Sequence, residues 1–128
     1  MSDPLPLDVI DALEPYLARA TLDRVRVAAG PPWSWIPVLL RTGATTFGPY
    51  VLLRSGRYRT DNARGLALIA HEALHTQQYR ELGLLRFLWQ YLRQNLAVRF
   101  NHDRHPLEVP CIVLQGKVRK ALQDAGWP

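Results

Sequence analysis

Cysteine is nearly absent from this chain: Cys111 stands alone. No internal disulfide and no cysteine-based zinc finger can be built, so any metal must rest mainly on histidine and carboxylate. Long apolar runs are missing as well, because arginines interrupt each stretch well before the roughly 18 residues of a membrane span. Residues 1–6 hold Asp3 and two prolines where a signal peptide would place a basic segment and an apolar run, so a cytoplasmic protein is expected. Repeats, linkers and low-complexity tracts are also lacking.

What remains is an ordinary globular composition. The chain has 128 residues, 48% of them hydrophobic and 21% charged, enough for one core without staples. A single domain is expected, with residues 1–44 as a helix, a short strand and a Trp/Pro-rich connection, and residues 45–125 as its chemical core. The net charge of +5 and pI near 9.9 come from scattered arginines, among them Arg24, Arg26, Arg41, Arg54, Arg57, Arg59, Arg86, Arg93 and Arg99. That scatter reads as a solvated surface, and no nucleic-acid partner is expected. Two non-enzymatic alternatives stay open: a basic interaction module, with contact to a membrane surface through residues 84–93, and a zinc-binding protein without turnover.

Residues 7–20 carry apolar side chains at Val9, Ile10, Leu13 and Leu17, a helical spacing in which Pro15 is a kink or a break. Val25-Arg26-Val27 alternates and reads as a short strand closed by Gly30-Pro31-Pro32. Residues 45–54 are rich in β-branched and aromatic residues, and Ser55-Gly56 followed by Arg57-Tyr58-Arg59 suggests a β-hairpin. Thr60-Asp61-Asn62 offers helix N-caps, residues 66–82 contain no proline, and Gly83 ends them, so a helix is expected there. It is apolar nearly all round, which implies burial between the sheet and other helices. Two further helices are expected over residues 84–100 and 110–125.

The central helix contains His71-Glu72-Ala73-Leu74-His75. Residues four apart project about 40° apart and about 6 Å along the axis, so both imidazoles can grip one metal ion. Glu72 projects near the metal but off the ligand axis, where a carboxylate can take a proton from bound water. Catalytic zinc takes a third protein ligand and keeps one position open. Glu81, six residues after His75, points about 120° away if the helix continues. Zincins that use that position also need glycine where Gln78 stands, and metzincins need a methionine beneath the metal, whereas Met1 is the only methionine.

With Glu108 in His105-Pro106-Leu107-Glu108-Val109-Pro110-Cys111, the chain resembles the gluzincin branch of the zincin metallopeptidases, in particular the small single-domain bacterial members. The resemblance spans residues 45–122 as hairpin, active helix, connecting helix and glutamate helix. It implies an α+β fold, a small sheet on a buried active-site helix with further helices following. It also implies Zn2+ held by His71, His75 and Glu108, Glu72 as general base, and a peptide or protein substrate. In that family an extended substrate pairs with the sheet edge above the active helix, and residues 48–54, with Gly48, Tyr50, Val51 and Leu52, are expected to supply it. Where relatives often have a second acid and an alanine after the ligand, this chain has Pro110 and Cys111. Asp103 and backbone carbonyls are candidates to orient the histidines instead. His102 and His105 are candidate replacement ligands or oxyanion donors, Tyr58 and Tyr79 candidate oxyanion donors, and Cys111 a candidate soft ligand.

Overall fold

The computed structural model describes residues 3–28, 30–39, 44–54, 58–97 and 105–128. Pro6 sits before the first helix with φ −59°, a value its ring enforces and a helix start accepts. Helix α1 (Leu7–Leu13) then buries Val9, Ile10 and Leu13. Pro15 has no amide hydrogen to return to the preceding turn, so the helix breaks there, and a separate α2 (Arg19–Arg24) follows.

Strands β1 (Asp3–Pro4), β2 (Arg26–Ala28), β3 (Ala44–Phe47) and β4 (Tyr50–Leu53), with α3 (Trp35–Leu39) between β2 and β3, complete the first half. The sheet runs β1-β2-β4-β3. The outer pairs are antiparallel and β2 lies parallel to β4. The architecture is therefore α+β with a small mixed sheet.

The hairpin forms within the expected segment but turns elsewhere. Its turn is Gly48-Pro49, with Gly48 at φ +60°, a left-handed conformation that glycine adopts without Cβ strain. Ser55, Gly56 and Arg57 lie outside the described residues, and Tyr58-Arg59 form no strand. The earlier turn changes which strand is outermost. Tyr50, Val51 and Leu52 pair with Arg26, Val27 and Ala28 on one side and with Phe47, Thr46 and Thr45 on the other. Residues 48–54 therefore do not form the expected sheet edge: the end strands of the described sheet are β1 and β3. The continuous apolar run Val51-Leu52-Leu53 is buried and suits an interior strand between two neighbours.

Helix α4 (Ala63–Leu82) begins where the Asn62 side chain accepts the Gly65 amide at 2.7 Å, and it stops at Gly83, φ +82°. Its buried residues lie on every side, from Leu66, Ala67 and Ile69 to Ala73 and Tyr79, because the sheet, α6 (Val109–Asp124), α5 (Leu84–Ala97) and the N-terminal helices all pack on it. The C-terminus docks on its first turn, where the Ala63 amide donates to the Pro128 carbonyl at 3.0 Å. A Cβ at Gly65 would run into the Arg59 backbone carbonyl, whereas one at Gly116 in α6 would meet nothing within 4 Å. Gly65→Ala should therefore destabilise the fold by about 1–3 kcal/mol, and Gly116→Ala should stabilise it by about 0.5–1 kcal/mol. Urea unfolding reads both; equal effects would mean that the α4 approach to Arg59 is not tight.

Helix α5 packs on α4 through Phe87, which is buried, with Arg86 and Arg93 outside as expected. It also exposes Leu85, Trp89, Leu92 and Leu96. Among the described residues no helix is long and apolar enough to cross a membrane.

Candidate metal centre

His71 and His75 lie one turn apart on α4 with ring centroids 5.2 Å apart. Glu108, just before α6, meets both: His71 Nε2 is 3.0 Å from its Oε2, and His75 Nε2 is 2.9 Å from its Oε1. All three are buried, at 6, 4 and 3% exposure. The other nitrogen of each ring is occupied. His71 Nδ1 donates to Gln115 Oε1 at 2.8 Å, and His75 Nδ1 to Gln78 Oε1 at 2.8 Å. Gln78 is itself held by donating its amide to the Leu107 carbonyl at 2.9 Å. With Nδ1 protonated, each Nε2 points a lone pair at a carboxylate oxygen, a repulsive contact unless a proton or a metal cation lies between them. The donor set therefore fits a cation.

A second donor set overlaps the first. His71, His75 and Cys111 have potential ligand atoms within 4.8 Å of one another and can bind a metal. Cys111 Sγ stands 3.6 Å from His75 Nδ1 and 3.5 Å from the Leu107 carbonyl. That nitrogen already donates to Gln78, so the histidines are better disposed toward Glu108, with Cys111 packed behind the ring. Burial pushes the Cys111 thiol up, against the pull of His75, which further disfavours the thiolate needed for ligation.

Glu72 faces the sheet. Thr46 Oγ1, on β3, donates to Glu72 Oε2 at 2.6 Å, and the Tyr79 hydroxyl donates to the Thr46 carbonyl at 3.1 Å. The motif helix and the outer strand are thereby locked together. Helix α5 roofs this arrangement: Phe87 stacks on Tyr79 at 3.7 Å, and the Tyr91 hydroxyl donates to Glu108 Oε1 at 3.0 Å. Burial, then the Glu108 carboxylate, raise Tyr91 well above the usual phenol range, and burial pushes Tyr79 up to about 12. Both remain hydrogen-bond donors at neutral pH.

Comparison with known proteins gives one family match: the model of the eCIS core domain matches residues 4–83. The chain belongs to the eCIS core domain family. No curated protein and no solved structure matches it. The gluzincin resemblance thus rests on the residues alone. The eCIS core segment contains the described sheet except Asp3, together with α4 and the His71-Glu72-Ala73-Leu74-His75 motif, and ends at Gly83. Tyr91, Glu108, Cys111 and Gln115 stand beyond it, so the carboxylate that meets both histidines, just before α6, lies outside the matched residues.

Around the eCIS core, the remaining sequence candidates separate. His105 is fully buried, its Nε2 donating to the Tyr91 carbonyl at 2.9 Å and its Nδ1 accepting the Leu107 amide at 3.1 Å. With both nitrogens bound to backbone it is placed to hold the approach to α6, not to donate to a ligand. The Tyr79 hydroxyl donates its hydrogen bond to the Thr46 carbonyl. Tyr58 packs against the main core near Asp3 and Asp8 and makes no described contact with the histidines. Glu81 is exposed and accepts from Gln77 at 2.9 Å, away from the centre. His102 and Asp103 lie outside the described residues. Sequence reasoning passed over Gln78, Gln115, Tyr91 and Thr46 as parts of the centre. Only Gln78 carried a legible signal, since it follows His75 by three positions and so shares its helix face.

Burial opposes charge on His75, but its bonds to Cys111 and Glu108 outweigh that and push the imidazole up to about 11. A metal must displace this proton, so binding near neutral pH should release a proton, with affinity rising up to about tenfold per pH unit. In the metal-free protein the charged His75 adds stability that is fully present below its ordinary 6.5 and is lost as pH rises through about 11. Isothermal titration in buffers of different ionisation enthalpy counts the proton. Metal binding without release would remove His75 Nε2 from the donor set.

Proposed function

We propose that this chain is a zinc-dependent metallopeptidase in which His71, His75 and Glu108 hold the metal and Glu72 is the general base. Zn2+ suits two imidazoles and a carboxylate, and when bound there it would supply Lewis acidity toward a water and a carbonyl oxygen. The observation that carries the reading is the position of Glu72. It follows the first donor histidine in the chain, and its Oε2 is held by the Thr46 hydroxyl of β3. A purely structural metal centre has no use for such a carboxylate.

Glu72 takes a proton from the attacking water and returns it to the leaving amine. Thr46 keeps the carboxylate oriented between those transfers. An extended substrate lies along β3, an end strand of the described sheet, where backbone recognition makes little demand on side chains. Substrate is then a peptide or protein, with no nucleic acid involved.

A second reading, a zinc-binding protein without turnover, draws support from the burial of every donor beneath α5. Comparing cleavage of an unstructured protein by wild type and Glu72→Gln, both with measured zinc content, separates the two.

A further inference from the structure

Helix α5 carries apolar side chains on two opposite faces. Phe87 and Tyr91 form the inner one, where Phe87 stacks on Tyr79 and the Tyr91 hydroxyl reaches Glu108. Leu85, Trp89, Leu92 and Leu96 follow one another at steps of four, three and four, which holds them within about 60° on the helix surface and roughly opposite Phe87. They are 80, 65, 51 and 60% exposed, against 3% for Phe87. Leu88, also exposed, widens the row on one side. Single apolar side chains on a surface are ordinary, but a continuous row of large ones marks a surface that meets something.

The charges on the helix select what that is. Arg86 and Arg93 are exposed, stand seven residues apart and so share a side, about 40–60° around from Trp89. No acidic residue lies anywhere in α5. A second copy of α5 laid antiparallel would bring the arginines of one copy against those of the other, and a parallel copy would offer them no acid. Fourteen residues are also only two heptads, short of the three or four that paired helices need. An anionic lipid surface suits both features. Leucines enter the acyl boundary, the tryptophan ring sits at headgroup level, and the guanidinium groups reach lipid phosphates along their apolar stems. The net charge of +5 has the sign such a surface attracts.

We propose that α5 docks the protein on an anionic lipid surface, with Leu85, Trp89, Leu92 and Leu96 in the interface and Arg86 and Arg93 on lipid phosphates. The helix lies in the plane of the surface and does not cross it, in keeping with its length and with the absence of a membrane-crossing helix among the described residues. Its inner face stays on α4 throughout. The docking therefore stands whether or not the metal centre hydrolyses peptides.

The test is cosedimentation of the full chain with vesicles of phosphatidylcholine alone and of phosphatidylcholine with about one-third phosphatidylglycerol. Partition into the anionic vesicles should be about 20-fold stronger, about fivefold for each arginine near the surface. Arg86→Gln combined with Arg93→Gln should erase that difference. Trp89→Ser and, separately, Leu96→Ser should each weaken binding to the anionic vesicles by at least about tenfold. Trp35→Ser, which removes a tryptophan of α3 that is 60% exposed, should leave binding unchanged. Equal partition into the two vesicles overturns the inference, as does a Trp35→Ser loss as large as that of Trp89→Ser. A lipid-free dimer, read by sedimentation equilibrium and dissolved by Trp89→Ser, would also overturn it, because the row would then belong to a second copy.

Discussion

Glu72→Gln should keep its full complement of zinc and lower cleavage of an unstructured protein by at least about 10²-fold, the usual worth of a positioned base. The amide is isosteric with the carboxylate, and its oxygen can still accept from Thr46 Oγ1, now at 2.6 Å from Glu72 Oε2. Folding and metal content should therefore survive. What is lost is the only property that matters to the chemistry, the ability to take a proton from water at neutral pH. Zinc content by mass spectrometry and cleavage under identical loading read the two effects separately. Equal cleavage by both proteins would sink the assignment of Glu72, and zinc lost from the variant would make that residue a ligand.

Glu108→Ala should reduce metal affinity by about 100-fold or more, because it removes one of the three donors on which a catalytic zinc site depends. It also strips both histidines of the anion they share, at 2.9 and 3.0 Å, and leaves the Tyr91 hydroxyl without its acceptor. Competition with a chromogenic chelator measures the loss. Glu108→Gln should fall between the two, since it can still accept from Tyr91 but carries no charge. The outcome also decides between the overlapping donor sets. Full zinc retention in Glu108→Ala, with loss in Cys111→Ser, would assign the site to His71, His75 and Cys111. Loss in Glu108→Ala with retention in Cys111→Ser leaves the cysteine as packing behind His75.

Membership in the eCIS core domain family and the two-histidine motif meet on the same helix but come from different observations. The matched residues end at Gly83, so the helix that completes the donor set and the helix that roofs it are features of this chain beyond the matched segment. Access beneath α5 is the physical question this raises for the proposed reaction. The two histidines and Glu108 are 3–6% exposed, and Phe87 and Tyr91 of α5 pack against the His75 ring.

The helix carrying His71, Glu72 and His75 was determined by local sequence: an asparagine cap, an unbroken run of helix-compatible residues, a glycine stop and a spacing of four. All of that acts within one or two turns, so it is legible without a partner. The break of the first helix at Pro15 was foreshadowed in the same way. The edge of the sheet was not. Whether β4 or β3 lies outermost depends on the chain passing from β2 through α3 before it pairs, and no local pattern encodes that crossover; the turn was expected at Ser55-Gly56 and forms at Gly48-Pro49. The meeting of Glu108 with two histidines more than thirty residues earlier and the Tyr91 and Gln115 contacts were likewise decided by tertiary packing. Each joins side chains from separate elements, and a hydrogen bond or shared charge across such a distance leaves no periodicity in the sequence to read.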